Sequence, residues 1–357
     1  MPTYQFDQTY QWNYENGPDF SGDFPDIYQH QSYSLLGFSL NSPVGIPAGI
    51  LLNSRWVATY ARLGFDILTY KTVRTRPRPA YPLPNWVFLN CESQLRPGDT
   101  QPLTAYPIPN QSLDQLTSAI CFGMPSAAPE IWRKDVGDAK ASLKPGQVLI
   151  VSVVGTPSDL PDIDALAADY ALCAKWAVEA GADIVEANLS CPNVSTMEGQ
   201  IYQDEEAACL VAQRMREATP SKTPLLLKIG VLPDVNAYKK FLERTRKIVD
   251  GIVLVNSIIR RIHNRDGSHT FGPERETAGV VGWAIHDQCL DHTRMILAAR
   301  QAIGSSQLIL SVGGILSEEA AVSYLDAGSD AILLGSAPVF EPYLAIKIKK
   351  RIASKSA

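Results

Sequence analysis

Eight short apolar runs, most of them followed by an amphipathic stretch, predict an α/β chain folded as one (β/α)8 barrel with a long capping insertion after its second strand. The runs are residues 45–49, 66–71, 148–154, 183–188, 224–229, 251–256, 307–312 and 330–334. Leu and β-branched residues follow one another in them almost without a break, as in strands covered on both faces. An open doubly wound sheet would place a Gly-x-Gly-x-x-Gly turn after its first strand, and residues 45–53 supply none.

Helical periodicity falls between most of the runs. The clearest begins near Asp162 and puts Leu166, Tyr170, Cys173 and Ala177 on one stripe. Further helices are expected over residues 204–218, 235–247, 285–303, 317–327 and 338–351. The connection from 72 to 147 is too long for one helix, holds the Pro-rich stretch 76–84, and is expected to cap the C-terminal mouth. Residues 1–35, rich in Tyr, Asp, Gln and Pro, read as an extended arm over a barrel spanning 36–357.

Hydrophobic residues make up 45% of the chain and charged ones 19%, the balance of a soluble globular protein. A net charge of −5 argues against a nucleic-acid-binding surface. Neither a signal-like N-terminus nor a membrane-spanning run is present, so no membrane insertion is expected. The six cysteines form no Cys-x-x-Cys pair and no cluster with the five histidines, which predicts a reduced cytoplasmic protein without metal.

Catalytic groups of such barrels sit at the C-terminal ends of the strands. Here those ends carry Ala48-Gly49, Lys71-Thr72, Asn188 to Asn193, Lys228, Asn256-Ser257, Gly313-Gly314 and Gly335-Ser336. The last two suit a phosphate: glycine lets backbone N–H groups approach closely, and Gly335-Ser336 opens the final helix. Lys71 and Lys228 would be snorkelling side chains if taken singly. Within a ring of amides they predict fixed positive charge beside an anionic cofactor or intermediate. Asn188, Asn193 and Asn256 offer both donors and acceptors to a planar heterocycle, although any one alone could be a loop cap. Cys173, Cys209 and Cys289 read as buried structural thiols. Cys191, in a loop beside these amides and lysines, is the better candidate for proton transfer.

The hexapeptide Asn188-Leu189-Ser190-Cys191-Pro192-Asn193 closely resembles the signature of the soluble dihydroorotate dehydrogenases whose base is cysteine. The resemblance runs over residues 36–345 and includes Tyr70-Lys71-Thr72, Pro82 to Asn85, Leu227-Lys228, Val255-Asn256-Ser257, Ala278-Gly279-Val280, Val312 to Ile315 and Leu334-Gly335-Ser336. It implies an oxidoreductase of pyrimidine biosynthesis that oxidises dihydroorotate or a related cyclic amide with FMN. Ala48, Gly49, Lys71, Thr72, Asn188, Lys228, Val255, Gly279, Gly313, Gly314, Gly335 and Ser336 would surround the FMN. Lys71, Asn188, Asn193, Asn256 and Ser257 would face the substrate, and Cys191 would take its proton as hydride passes to flavin N5. Residues 194–202 would form a loop closing over Cys191.

The resemblance also implies a soluble electron acceptor such as fumarate, and a homodimer. One position departs from it: the family's capping segment carries an Asn that bonds the pyrimidine, where this chain has Ile120 in Ile120-Cys121-Phe122-Gly123-Met124-Pro125. Two other readings compete. A reductase of uracil- or thymine-like rings would share the Cys loop, but it typically has His at position 193 and relies on iron–sulfur modules. A non-redox aldolase or isomerase would use Lys228 for a Schiff base and bind no flavin.

Overall fold

The computed structural model describes residues 2–26, 33–109, 111–157, 162–190 and 200–356. The described chain begins with helix α1 (Tyr10–Asn16) and a hairpin of β1 (Tyr33–Leu35) and β2 (Phe38–Leu40). Next come β3 (Val44–Ile46), α2 (Ser54–Arg62) and β4 (Ile67–Val73). Three strands follow outside the barrel: β5 (Trp86–Leu89), β6 (Leu103–Tyr106) and β7 (Thr117–Ile120). The chain re-enters the barrel through α3 (Pro129–Ser142), β8 (Val148–Val153), α4 (Ile163–Glu179), β9 (Ile184–Asn188), α5 (Glu205–Ala218), β10 (Leu225–Lys228), α6 (Val235–Thr245) and β11 (Gly251–Leu254). A second excursion, β12 (Ile258–His263) and β13 (Thr277–Gly282), precedes α7 (His286–Ala302), β14 (Leu308–Val312), α8 (Glu318–Asp326), β15 (Ala331–Leu333), α9 (Ala337–Phe340) and α10 (Leu344–Ser356).

The eight apolar runs become the eight parallel strands of a closed barrel, ordered β3-β4-β8-β9-β10-β11-β14-β15. Inward-facing Ile67, Val148, Ile150, Ile184, Leu226, Val253, Leu310 and Leu333 form one apolar cluster, plugged by Leu35 and Leu40 of the β1–β2 hairpin. Burying each such side chain stabilises the fold by roughly 1.5–3 kcal/mol. Several helices start on a side-chain cap at the mouth side: Asn53, Asp162, Asp204, Asp234 and Ser317 each accept from backbone N–H groups of the first turn. Such caps contribute about 1 kcal/mol apiece and end each strand-to-helix loop abruptly.

At the opposite end, Asp66 is fully buried and lies 2.6 Å from Lys349 of α10, itself nearly buried. Burial raises the Asp66 carboxyl, and Lys349 works against that rise. The pair pins the C-terminal helix to the entry of β4.

Differences from the sequence pattern are local. The helix expected over 338–351 is two, the single turn α9 and then α10. Helices α2 and α3 stand where no helix is evident in the pattern, on short buried stripes such as Trp132, Val136 and Ala139. The cap draws on two excursions: β5, β6 and β7 combine with β12 and β13 into a small closed five-stranded sheet. Ile120 is flanked in register by Trp86 and Gly279. The N-terminal arm is partly helical, through α1 on its Thr9 cap. Its Tyr4 and Phe6 pack against Trp86, Phe122 and Phe340, tying cap to α9. Cys173 and Cys289 are buried, whereas Cys209 is only half-buried because it lies at the edge of α5.

Candidate active site

The strand ends open into one cleft under the cap, connected to solvent and spanning about 1010 Å³ with its open mouth included. Its floor is the C-terminal rim of the barrel. From β3 come Ala48 and Gly49; from β4, Lys71 and Thr72; from β9 and β10, Asn188 and Lys228. After β11 come Asn256 and Ser257, and after β14 and β15 the pairs Gly313-Gly314 and Gly335-Ser336. Gly279 reaches the same space from β13 in the cap. Val255 is an exception: it is fully buried behind the rim, its N–H donating to the Val312 carbonyl at 3.0 Å. Cys191 and Asn193, and residues 194–199 of the expected closing loop, lie outside the described residues.

Hydrogen bonds hold these polar side chains in place. The Asn188 amide donates to Thr72 Oγ1 at 3.3 Å, and its Oδ1 accepts from the Ser190 N–H at 3.3 Å. Ser190 Oγ donates to the Lys228 carbonyl at 3.3 Å, and the Asn256 amide donates to the Ser190 carbonyl. The chain leaving β9 toward residue 191 is therefore tied to β10 and to the loop after β11. Lys228 Nζ donates to the Ala48 carbonyl at 3.2 Å, across the barrel mouth, and its side chain is 2% exposed.

Below Lys228 the barrel carries an ionisable group that the strand-end pattern does not reveal. Glu186 points inward from β9, one inward position below Asn188, and is fully buried. Neither of its carboxylate oxygens has a hydrogen bond of good geometry. Burial raises its carboxyl, opposed first by the Lys228 charge and then by the nearby Ser152 hydroxyl. The signal in the sequence was a Glu at an inward register position of an otherwise apolar strand.

The glycine cradle fits a phosphate and a flat ring. A Cβ on Gly335 would meet nothing within 4 Å, so the backbone there faces open cleft. Gly314 has φ +63°, and a Cβ there would strike His286 at 2.6 Å, so its turn requires glycine. The N–H groups of Gly313, Gly314, Gly335 and Ser336 have no acceptor among the described residues. Clustered backbone donors of this kind are suited to an anion. The dipole contribution expected from a long final helix is small, since α9 has only four residues and Pro338 in its first turn.

The roof of the cleft is apolar: Ile120, Phe122, Met124, Val281 and Ile285. Val281 and Ile285 belong to the second excursion and were not indicated by the sequence pattern. A polar floor beneath an apolar roof suits a planar heterocycle held between them. Glycine backbone donors, two lysines and convergent amides are the donor set that a flavin mononucleotide needs: phosphate, ring edge and N1 side.

The dihydroorotate dehydrogenase family model matches residues 31–355. The chain is 33% identical to a dihydroorotate dehydrogenase of Dictyostelium discoideum, over 97% of this chain and 96% of that protein. A dihydroorotate dehydrogenase (quinone) of Bordetella pertussis is 27% identical, over 84% of this chain and 78% of its own length. Among solved structures, a ligand-free DHODH from Eimeria tenella superposes with TM-score 0.71 at 16% identity, over 97% of this chain and 94% of that one. That similarity carries the fold. With its barrel, its strand-end cleft and these matches, the chain belongs to the dihydroorotate dehydrogenase family of flavin-dependent oxidoreductases.

Proposed function

We propose that this protein oxidises dihydroorotate, or a closely related cyclic amide, with FMN as its cofactor and Cys191 as its base. The observation that carries this reading is the convergence of Lys71, Lys228, Asn188 and Asn256 on one cleft whose far end is an open glycine cradle. Bound FMN would supply a hydride acceptor at N5.

The residues divide the remaining work. Gly313, Gly314, Gly335 and Ser336 offer backbone N–H groups to the phosphate, with Ala48, Gly49, Thr72 and Gly279 shaping the ring's bed and Val255 backing them from behind the rim. Lys228, its ammonium held by the Ala48 carbonyl at 3.2 Å, would place positive charge beside the bound ring, with buried Glu186 lower on the neighbouring strand. Lys71, Asn188, Asn193, Asn256 and Ser257 orient the substrate. Cys191 would take the proton from one ring carbon of the substrate as the adjacent carbon gives up its hydride, leaving a C=C bond between the two. The apolar roof excludes water while this happens. Ile120 sets a methyl surface against one ring edge, so the accepted ring must tolerate one fewer hydrogen bond there, a difference of about 1–3 kcal/mol.

Anaerobic mixing of the yellow holoprotein with dihydroorotate and a panel of dihydropyrimidines tests the proposal. Dihydroorotate or a close relative bleaches the flavin absorbance, and Cys191→Ala retains flavin but slows bleaching by about two orders of magnitude. A flavin that no member of the panel reduces would sink the dehydrogenase reading, and unchanged kinetics in Cys191→Ala would remove that residue from it. The released flavin is FMN, and reoxidation by fumarate outpaces reoxidation by a quinone.

A further inference from the structure

Two of the five histidines in the chain stand together outside the lining of the cleft, on the hairpin between β12 and β13. His263 ends β12, His269 lies in the connecting loop, and Glu276 immediately precedes β13. One ligand atom from each lies within 4.8 Å of the other two. His263 Nε2 is 3.9 Å from the Glu276 carboxylate, and it is a buried nitrogen without a hydrogen-bond partner among the described residues. The two imidazoles meet edge to face, with centroids 5.6 Å apart at 90°.

The loop is built to hold them there. An antiparallel bridge pairs His263 with His269. Between them Asn264 N–H donates to the Ser268 carbonyl at 2.9 Å, and Ser268 Oγ donates to Asp266 at 2.6 Å. The turn is thus closed on itself, which brings the two histidine backbones to opposed positions before any ligand arrives.

We propose that His263, His269 and Glu276 form a site for a zinc-like divalent cation that ties together the loop end of the β12–β13 hairpin in the cap. Two imidazoles and one carboxylate are a borderline donor set, suited to Zn²⁺ or Ni²⁺ and poorly to Mg²⁺ or Ca²⁺. Around a tetrahedral ion such ligand atoms lie roughly 3.3 Å apart, so about 1 Å of side-chain movement completes the site, with water in the fourth position. Arg261 competes for Glu276 from 3.9 Å, but its half-exposed guanidinium can swing into solvent.

The location gives the ion a task. The cap sheet closes where β12 meets β6, through only two register pairs, Ile262 with Leu103 and His263 with Thr104. The ion would join the end of β12 to the start of β13 beside that seam. Since β13 carries Gly279, Val281 and Gly282 to the cleft, occupancy would stiffen one wall of the pocket. The inference does not depend on the proposed reaction.

Calorimetric titration of chelator-treated holoprotein with Zn²⁺, repeated with Ni²⁺, tests it. One equivalent binds with a dissociation constant below ~100 µM. His269→Ala and Glu276→Gln, both at exposed positions, weaken binding by about tenfold or more, and His263→Ala abolishes it. The melting temperature rises with Zn²⁺ in the parent protein and stays flat in His269→Ala. The proposal fails if no saturable binding occurs below that limit. It fails equally if His269→Ala binds the same equivalent with unchanged affinity, which would place the ion on a cysteine or elsewhere.

Discussion

The two ends of the barrel handle buried charge in opposite ways. At the closed end Asp66 and Lys349 neutralise one another at 2.6 Å among packed side chains, and Leu35 and Leu40 seal the interior. At the open end Lys71 and Lys228 rise from the rim, Glu186 sits below without a well-formed hydrogen bond, and glycine N–H groups face open space. The first arrangement pairs its two charges within the packed fold and so contributes only structure. The second leaves backbone donors open to the cleft for a ligand to satisfy. Functional ends of barrels are recognisable by that incompleteness.

The sharpest test removes one member of the closed-end pair. Lys349→Met leaves Asp66 buried without its cation and should cost about 3–5 kcal/mol in urea unfolding, while flavin content per folded molecule stays at the parent value. Loss of flavin at equal folded fraction would show that the two ends are not separable. The reverse test is Gly335→Val. Its side chain enters open cleft, so stability of the flavin-free protein should change by no more than about 0.5 kcal/mol. Flavin binding should nevertheless fall by at least about tenfold, since the new methyl groups occupy the cradle. Normal flavin occupancy in that variant would dismiss the cradle.

The smallest effect concerns acid. His292 is buried, bonded to Tyr238 at 3.1 Å, and Tyr238 in turn accepts from Leu232 in the loop after β10. Burial lowers the His292 pKa, with the Asp291 charge opposing. A folded pKa below the unfolded value of about 6.5 means the unfolded chain binds the extra proton first. The contribution is therefore complete above that pH and is lost as pH falls below it, by at most about 1.4 kcal/mol per pH unit. Thermal unfolding between neutral pH and pH 5 should show this slope in the parent and a shallower one in His292→Gln. Equal slopes would move the acid sensitivity to another group.

Much of the open end was legible because barrel strands are local patterns. An apolar run reports its own burial, and the residue that follows it reports what stands at the rim. Lys71, Asn188, Lys228 and Asn256 could be read in that way, and all reach the cleft. Val255 could not be separated from its neighbours, because one residue of register decides between rim and interior. The sequence of 258–263 alternates buried and exposed positions, yet that run is short and its partner β13 belongs to a sheet completed by β7, far earlier in the chain. No local period announces such a pairing.

What the sequence by itself determined is the number of strands, their parallel order with intervening helices, and the chemistry at their ends. Those follow from side-chain periodicity and from which residue types can stand at a strand terminus. Only the tertiary structure decided how two distant excursions close into one cap, that the roof over the polar floor is apolar, and that Glu186 lies under Lys228. Each is a contact between segments remote in sequence. Such contacts are selected by the packing of the whole molecule, because the gain from burial is realised only after every intervening element has found its place.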